Sequence, residues 1–342
     1  MKAVRLTTFG HPVTAQNVET PEPGRREVLV RVRAAGICHS DAHYRSGSSP
    51  RMGVPRTLGH EVAGTIERVG DDVRRARVGD RVCVHYLFSC GDCFHCSRGS
   101  EQFCTTGAML GHHRDGGWAE YVLVPERCAV PLPPEISFEH GAVLMCSSAT
   151  SLHALRRARL RGGETVAVFG AGGLGASAVQ LARALGARDV YAVDIDEGKL
   201  ELARTLGATP VIARDADPVT AIAELTGGRG VDVALDLVGL PQTTHQAVQS
   251  LAVQGRAVIV GIARQPVELD SYHDILGKEA EIIGANDHLL QELPLLIDLT
   301  RRGALDLSRV VARTIPLDAD AINAVLDELD RYSAPARTVI VP

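Results

Sequence analysis

The chain has 342 residues, long enough for two domains, and its 45% hydrophobic and 23% charged content is that of a globular protein with a sizeable core. Its net charge of −5, with no basic block beyond pairs such as Arg74-Arg75 and Arg301-Arg302, argues against nucleic acid or an anionic membrane as partner. The start MKAVRLTTFG lacks a signal-type apolar core, and no run approaches the ~18 apolar residues of a membrane span, so the expected location is cytoplasmic.

From residue 1 to about 134 the chain alternates in short runs, such as Val28-Leu29-Val30-Arg31-Val32, broken by Gly and Pro. That pattern predicts a β-rich region of turns and small sheets. Within it, Cys38, His39, Ser40, Asp41 and His43 bring a thiol, a hydroxyl, a carboxylate and two imidazoles into one short stretch. Further on comes Gly59-His60-Glu61-Val62-Ala63-Gly64, where glycines suit close backbone approach and His60 and Glu61 offer metal-binding or proton-binding groups. Taken alone, His60 reads as a satisfied surface histidine.

The eight cysteines could form four disulfides, but six fall at metal-ligand spacings in a chain with no secretion signal, so they are read as reduced. Cys90, Cys93, Cys96 and Cys104 follow one another at x2, x2 and x7 spacing in CGDCFHCSRGSEQFC. Four thiolates so placed can close a tetrahedron round one zinc with no open position, the pattern of a structural site. Surroundings that are not basic weigh against a nucleic-acid zinc module. A spacing unlike the bacterial ferredoxin run, without its proline, weighs against an iron–sulfur cluster. Cys83 and Cys128 lie alone in apolar runs and read as inert core residues.

Pro131-Leu132-Pro133-Pro134 reads as a connector, after which 137–155 is predicted helical with Ser137 as N-cap and Cys146 inside it. The stretch 164–199 then gives a β-branched strand over 165–169, a G-x-G-x-x-G turn and an apolar pattern at helical spacing through Val179, Leu181, Ala182 and Leu185. A lone glycine motif would equally suit another α/β loop. Here Gly170, Gly172, Gly173, Leu174 and Gly175 sit between strand and helix, and Asp194 ends the next strand 19 residues past Gly175. Together these read as a dinucleotide site, with pyrophosphate at the helix N-terminus and the acid on the ribose of NAD. Strands and helices go on alternating to 284, which predicts a parallel sheet covered on both faces. Two helical patterns and a final strand, 337–341, follow. That strand has no partner in the neighbouring sequence and is expected to return to the first domain. The expected domains are 1–147, 148–283 and a returning segment 284–342.

With G-H-E-x-x-G at Gly59 to Gly64 continued by Gly70 and Val73, and with the four-cysteine run, the chain resembles the zinc-dependent medium-chain alcohol dehydrogenase family over essentially its whole length. The resemblance implies an α/β fold in which a doubly wound parallel Rossmann sheet joins a β-rich GroES-like catalytic domain, with two zinc ions per chain. It assigns Cys38, His60 and Cys146 to the catalytic zinc, Glu61 to a nearby acid and Asp41 to the carboxylate orienting the imidazole. Ser40 and His43 match a proton relay, while His39 and Arg337 match groups reaching the pyrophosphate. Lys199, the one nearby cation, is expected against the adenosine ribose, and Tyr86 and Trp118 match positions that line the family's substrate pocket. NAD is expected over NADP, because Asp194, Asp196 and Glu197 would repel a 2′-phosphate.

The implied reaction is hydride transfer between a small primary or secondary alcohol, or its aldehyde or ketone, and NAD, by a cytoplasmic homotetramer. A polyol, an amino alcohol or a formaldehyde adduct would suit the same fold and metals. A non-catalytic, zinc-stabilised nucleotide-binding sensor is the reading from another class, and the presence of all three catalytic ligands weighs against it and against a zinc-free quinone reductase. His112-His113-Arg114 reads as a solvated loop, or else as a basic pocket mouth suited to a polar or anionic substrate.

Overall fold

A computed structural model describes residues 1–49, 52–262, 265–331, 334 and 336–342. The chain divides into two units: Met1–Cys146 with Leu289–Arg301 and Val311–Pro342, and Ser147–His288 with Arg302–Val310. The stretch 284–342 therefore does not return as one piece, as the sequence suggested. Arg302–Val310 belongs with the second unit, where Asp306 exchanges hydrogen bonds with Gln180: its N–H donates to Oε1 at 2.8 Å, and its carbonyl accepts from Nε2 at 3.0 Å.

In the first unit the long strand Glu27–Ile37 is the hub of a seven-stranded sheet. It pairs antiparallel with Glu61–Val69, with Tyr121–Pro125 and with the final strand Arg337–Val341. Its alternating valines go to the core, because one face of such a sheet is covered and side chains point to opposite faces in turn. Register brings the chemistry together: Gly36 faces Glu61, and Ile37 faces Thr338. Cys38, His60 and Arg337 thus stand at neighbouring strand ends, although 299 positions separate the first from the last.

The final strand does have a partner nearby in sequence. Val311–Pro316 runs parallel beside it, joined through the helix Ala319–Asp330. This strand was not foreseen, since it lies at the sheet edge and alternates between exposed and only half-buried positions.

The second unit carries six parallel strands in the order Thr209–Ile212, Asp189–Asp194, Thr165–Phe169, Val231–Asp236, Leu251–Ile259, Glu281–Gly284. That is the doubly wound order, with its reversal between the third and fourth strands of the row. Capping fixes the helix starts: Ser137 Oγ accepts from the His140 N–H, Asp196 from Lys199, and Asp217 from Val219 and Thr220 with Pro218 in the first turn. The helix foreseen over 137–155 is interrupted by a π-helical turn, Leu144–Ser148, that carries Cys146. Such turns re-aim a side chain out of the regular helical repeat.

Candidate functional site

Cys38 is the N-cap of the short helix His39–Arg45, and its own N–H donates to Asp41 Oδ2 at 2.9 Å. Asp41 Oδ1 lies 3.4 Å from His60 Nδ1, so the carboxylate that binds the cysteine backbone also faces the imidazole. Cys146 Sγ is 4.0 Å from Cys38 Sγ. One ligand atom from each of Cys38, His60, Glu61 and Cys146 falls within 4.8 Å of all the others, and all four residues are buried.

Glu61 is fully buried, with Oε1 3.1 Å from Arg337 Nη2, and a Cβ on Gly36 would meet its Oε2 at 1.9 Å. Glycine at 36 is what leaves room for this carboxylate. Burial pushes the Glu61 carboxyl up to about 7, against the pull of Arg337 and with the help of the Cys38 thiolate. Cys38 itself is held well below the ordinary thiol range by the hydrogen bond from Cys146, and Arg337 and His60 assist against burial. Two thiols and one imidazole with a buried acid beside them fit a catalytic zinc, which takes three protein ligands and keeps one position for water or substrate.

The helix that follows Cys38 presents His39, Ser40 and His43, all half-buried. Ser40 Oγ stands 3.8 Å from Cys38 Sγ, and the rings of His39 and His43, one helical turn apart, are 4.8 Å apart. The Tyr86 ring packs edge-on to His60 at 5.0 Å. Trp118 is 0% exposed, its indole N–H is 3.4 Å from the Gly36 carbonyl, and a Cβ on Gly59 would meet its ring at 2.3 Å. It supports the Gly59-His60 turn from behind, because the two glycines leave the backbone bare for a large ring to cover.

The His112 to Arg114 stretch is not a cationic mouth. His112 is buried, hydrogen-bonded through Nε2 to Ser49 Oγ at 2.9 Å, and pushed down to about 4 by burial and by His113. Arg114 is paired with Glu27 at 2.8 Å. Tyr44 links this cluster towards the ligands, its ring 5.0 Å from His112 and 6.3 Å from His60.

Cys90, Cys93, Cys96 and Cys104 form a second set, their sulfurs also within 4.8 Å of one another. The separations Cys90–Cys104 of 3.5 Å, Cys90–Cys96 of 3.8 Å and Cys93–Cys104 of 4.0 Å suit a tetrahedron with metal–sulfur bonds of about 2.3 Å, whose edges are about 3.8 Å. Backbone N–H groups of Cys93 and Cys90 donate to Cys90 and Cys104 sulfurs, each at 3.3 Å, as suits thiolates. Four thiols would fill the tetrahedral coordination of a zinc, so this set is chemically closed.

In the second unit the three motif glycines play different parts. Gly170 has φ of +97°, which L side chains rarely adopt, and a Cβ on Gly175 would meet the Gly170 carbonyl at 2.0 Å. A Cβ on Gly172 would meet nothing within 4 Å, so the helix Gly173–Ala184 offers bare backbone and its first-turn N–H groups to an incoming phosphate. Asp194 ends its strand beside the turn, with Oδ2 accepting the Ala171 N–H at 2.8 Å and Oδ1 that of Asp196 at 3.0 Å. Lys199 is half-buried in the first turn of the next helix.

Two groups here escaped the sequence reading. Arg214 is a second cation beside the Asp194 loop, donating to the Ile195 carbonyl at 2.8 Å and lying 3.9 Å from Glu197. The other is the turn after strand Val231–Asp236, where the fully buried Asp236 accepts from the N–H groups of Val238 and Gly239 and from Thr243 and Thr244. This turn abuts Gly170 at the carboxyl ends of the strands, where ligands of such sheets bind. The strand-ending Asp-Leu-Val-Gly was its signal.

Fold and site define a zinc-type, dinucleotide-dependent dehydrogenase. Residues 24–134 match the family described as alcohol dehydrogenase GroES-like domain, and residues 173–300 the family described as zinc-binding dehydrogenase. An NAD-dependent alcohol dehydrogenase of Sulfurisphaera tokodaii is 35% identical over 354 residues, covering 100% of both chains. Among solved structures, the alcohol dehydrogenase of the hyperthermophilic archaeon Aeropyrum pernix superposes with a TM-score of 0.91 at 35% identity, covering 100% of both chains. A putative zinc-binding dehydrogenase of Sinorhizobium meliloti 1021, bound to NADP, gives 0.91 at 35% identity and covers 100% of this chain and 99% of its own. The chain belongs to the zinc-dependent medium-chain alcohol dehydrogenase family.

Proposed function

We propose that this protein is an NAD-dependent alcohol dehydrogenase that oxidises a small primary or secondary alcohol, or reduces the matching aldehyde or ketone, with two zinc ions per chain. The observation that carries it is the convergence of Cys38, His60 and Cys146 beside Ser40, in a chain whose other four-thiol set is closed. A zinc held by Cys38, His60 and Cys146 supplies Lewis acidity that makes an alcohol hydroxyl far easier to deprotonate than in water. NAD held by the glycine turn would supply a nicotinamide as the hydride acceptor.

The chain's own residues do the rest. Ser40 Oγ would accept the hydroxyl proton as it gives up its own, and His43, at the outer end of the relay, would pass a proton to solvent, so no charge is left on the serine. Asp41 keeps His60 in one ring orientation, and Tyr86 walls the substrate side of that imidazole. Glu61, with a carboxyl poised near neutrality, is the buried acid that balances Arg337 close to the metal ligands. His39 and Arg337 serve the pyrophosphate, and Asp194 and Lys199 the adenosine ribose. Asp194 favours NAD because its carboxylate opposes a 2′-phosphate, although Arg214 stands near enough to soften that preference.

A cytoplasmic home suits eight reduced cysteines. A homotetramer suits the outer strand Glu281–Gly284, near which Tyr272, Leu276 and Ile282 are 61%, 67% and 41% exposed.

The test is a panel of primary, secondary and vicinal-diol alcohols followed by NADH absorbance, with NADP in parallel and elemental analysis of the same chelator-free preparation. Turnover with at least one alcohol, a higher kcat/KM for NAD than for NADP, and two zincs per chain are expected. No turnover on any alcohol or carbonyl in the panel, or one zinc with Cys38→Ala leaving that content unchanged, overturns the reading.

A further inference from the structure

The four-cysteine lobe is built into the loop of a two-stranded ribbon. Leu87 pairs with Met109 and Phe88 with Ala108, and Cys90 to Cys104 fill the space between the strands. At its other end the ribbon is closed by the Leu110 N–H donating to the Tyr86 carbonyl at 3.0 Å, and Tyr86 is the residue whose ring rests on His60. Order in the lobe and the position of Tyr86 are therefore linked through only a few residues of strand.

One side chain of the lobe is turned the wrong way for a surface loop. Glu101 lies in a short turn, Glu101–Phe103, between the third and fourth cysteines, yet its side chain is only 13% exposed. Its Oε1 accepts the Leu290 N–H at 2.7 Å, a charge-assisted bond that ties the lobe to a segment 189 positions away. A Cβ on Gly99 of the same lobe would meet Gln291 Nε2 at 3.4 Å, so the lobe comes close to that segment at a second point. Oε1 also lies 3.9 Å from His85 Nε2, and Oε2 3.9 Å from Arg127 Nη2. Arg127 in turn donates from Nη1 to the Ser89 carbonyl at 3.0 Å, just before Cys90. The carboxylate thus sits at the base of the ribbon among groups from three separate stretches of chain, those of His85, Arg127 and Leu290.

His85 completes the link. It is 1% exposed, and burial together with Arg127 pushes it down to about 3, so its ring is neutral and stacks on the next residue. The His85 and Tyr86 rings are 6.4 Å apart and nearly parallel, and Tyr86 meets His60 at 75°.

We propose that Glu101 is a positioning residue for the substrate side of the active centre, fastening the base of the Leu87–Phe88 ribbon so that Tyr86 is held against His60. The proposal rests on the reading that Tyr86 walls the substrate site. Glu101 touches neither substrate nor metal, so its effect belongs to alcohol binding and not to zinc content or NAD.

A double-mutant cycle of Glu101→Ala and Tyr86→Ala decides it, read as KM and kcat with 1-butanol, or with the alcohol that ranks first in the panel, and as KM for NAD and zinc content. Glu101→Ala is expected to raise the alcohol KM about tenfold, with kcat and the NAD KM within about twofold and two zincs retained. Glu101→Gln, which keeps the acceptor for Leu290, is expected to recover most of that loss. In the Tyr86→Ala background, Glu101→Ala should add nothing further to the alcohol KM. Additive losses, an equal rise in the NAD KM, or an unchanged alcohol KM overturns the proposal. If Tyr86→Ala alone leaves the alcohol KM unchanged, the pocket reading of Tyr86 fails first. Should Glu101→Ala not fold, Glu101→Asp, which shortens the reach to Leu290, runs the same cycle against the same outcomes.

Discussion

Ser40 and His43 stand three positions apart, about one turn, on the short helix His39–Arg45 that starts from Cys38. Both are half-buried, as the proposed relay requires, since its outer group must meet water. A terminal relay group can be bypassed by solvent, whereas the first acceptor cannot. Ser40→Ala is therefore expected to lower kcat by about 10²-fold or more, the scale of lost acid–base help, and His43→Ala by less. Added imidazole buffer should restore the second variant and not the first, with zinc content and NAD KM unchanged in both. Equal losses without rescue, measured by NADH formation, would mean that the proton leaves by another path. At this scale the sequence was legible for donor types, since thiol, imidazole and carboxylate spacing is a local property. It was not legible for packing: no local pattern marks that Trp118 and Tyr86 are both fully buried, or that the bare backbone of Gly59 lies against the Trp118 ring. His112 looked like a solvated charge and is a buried neutral ring, because Ser49 and Tyr44 enclose it.

Among the elements, the glycine turn separates two demands that the motif merges. Gly175 is needed by the protein itself, as a methyl there collides with the Gly170 carbonyl, and such overpacking costs about 1–3 kcal/mol. Gly172 faces open space, so a methyl there obstructs only what binds. Gly175→Ala should thus lower Tm by several degrees and weaken NAD binding. Gly172→Ala should leave Tm within about 2 °C, since it costs the fold little, and still raise the NAD KM about tenfold or more. Calorimetry and cofactor titration check both. A Gly172→Ala protein that binds NAD like the parent would remove the phosphate from this turn. Buried parallel strands and their helices were readable here because continuous apolar runs and capping residues mark them. The edge strand Val311–Pro316 was not, since an edge needs no strong apolar pattern to pair.

For the whole molecule, the outer strand Glu281–Gly284 and the exposed Tyr272, Leu276 and Ile282 offer a face that suits another copy of the chain. Light scattering of the zinc-loaded protein at micromolar concentration is expected to give four copies, and a monomer would refute this. The first unit is assembled from three separated segments, a division that no composition shift announces.

By itself the sequence determined whatever is encoded within one turn or loop. The four-cysteine lobe, the glycine turn with its acid and the Cys38 to His43 cluster hold their groups at spacings fixed by local backbone geometry. Tertiary structure alone decided which of these meet. Strand register places Gly36 opposite Glu61 and Ile37 opposite Thr338, and this carries Cys38, His60 and Arg337 to one point. A π-helical turn aims Cys146 at the same place, and the bond from Leu290 turns Glu101 inward. Pairing between distant strands depends on side chains and hydrogen bonds summed over whole sheets, so no short stretch of the chain records it.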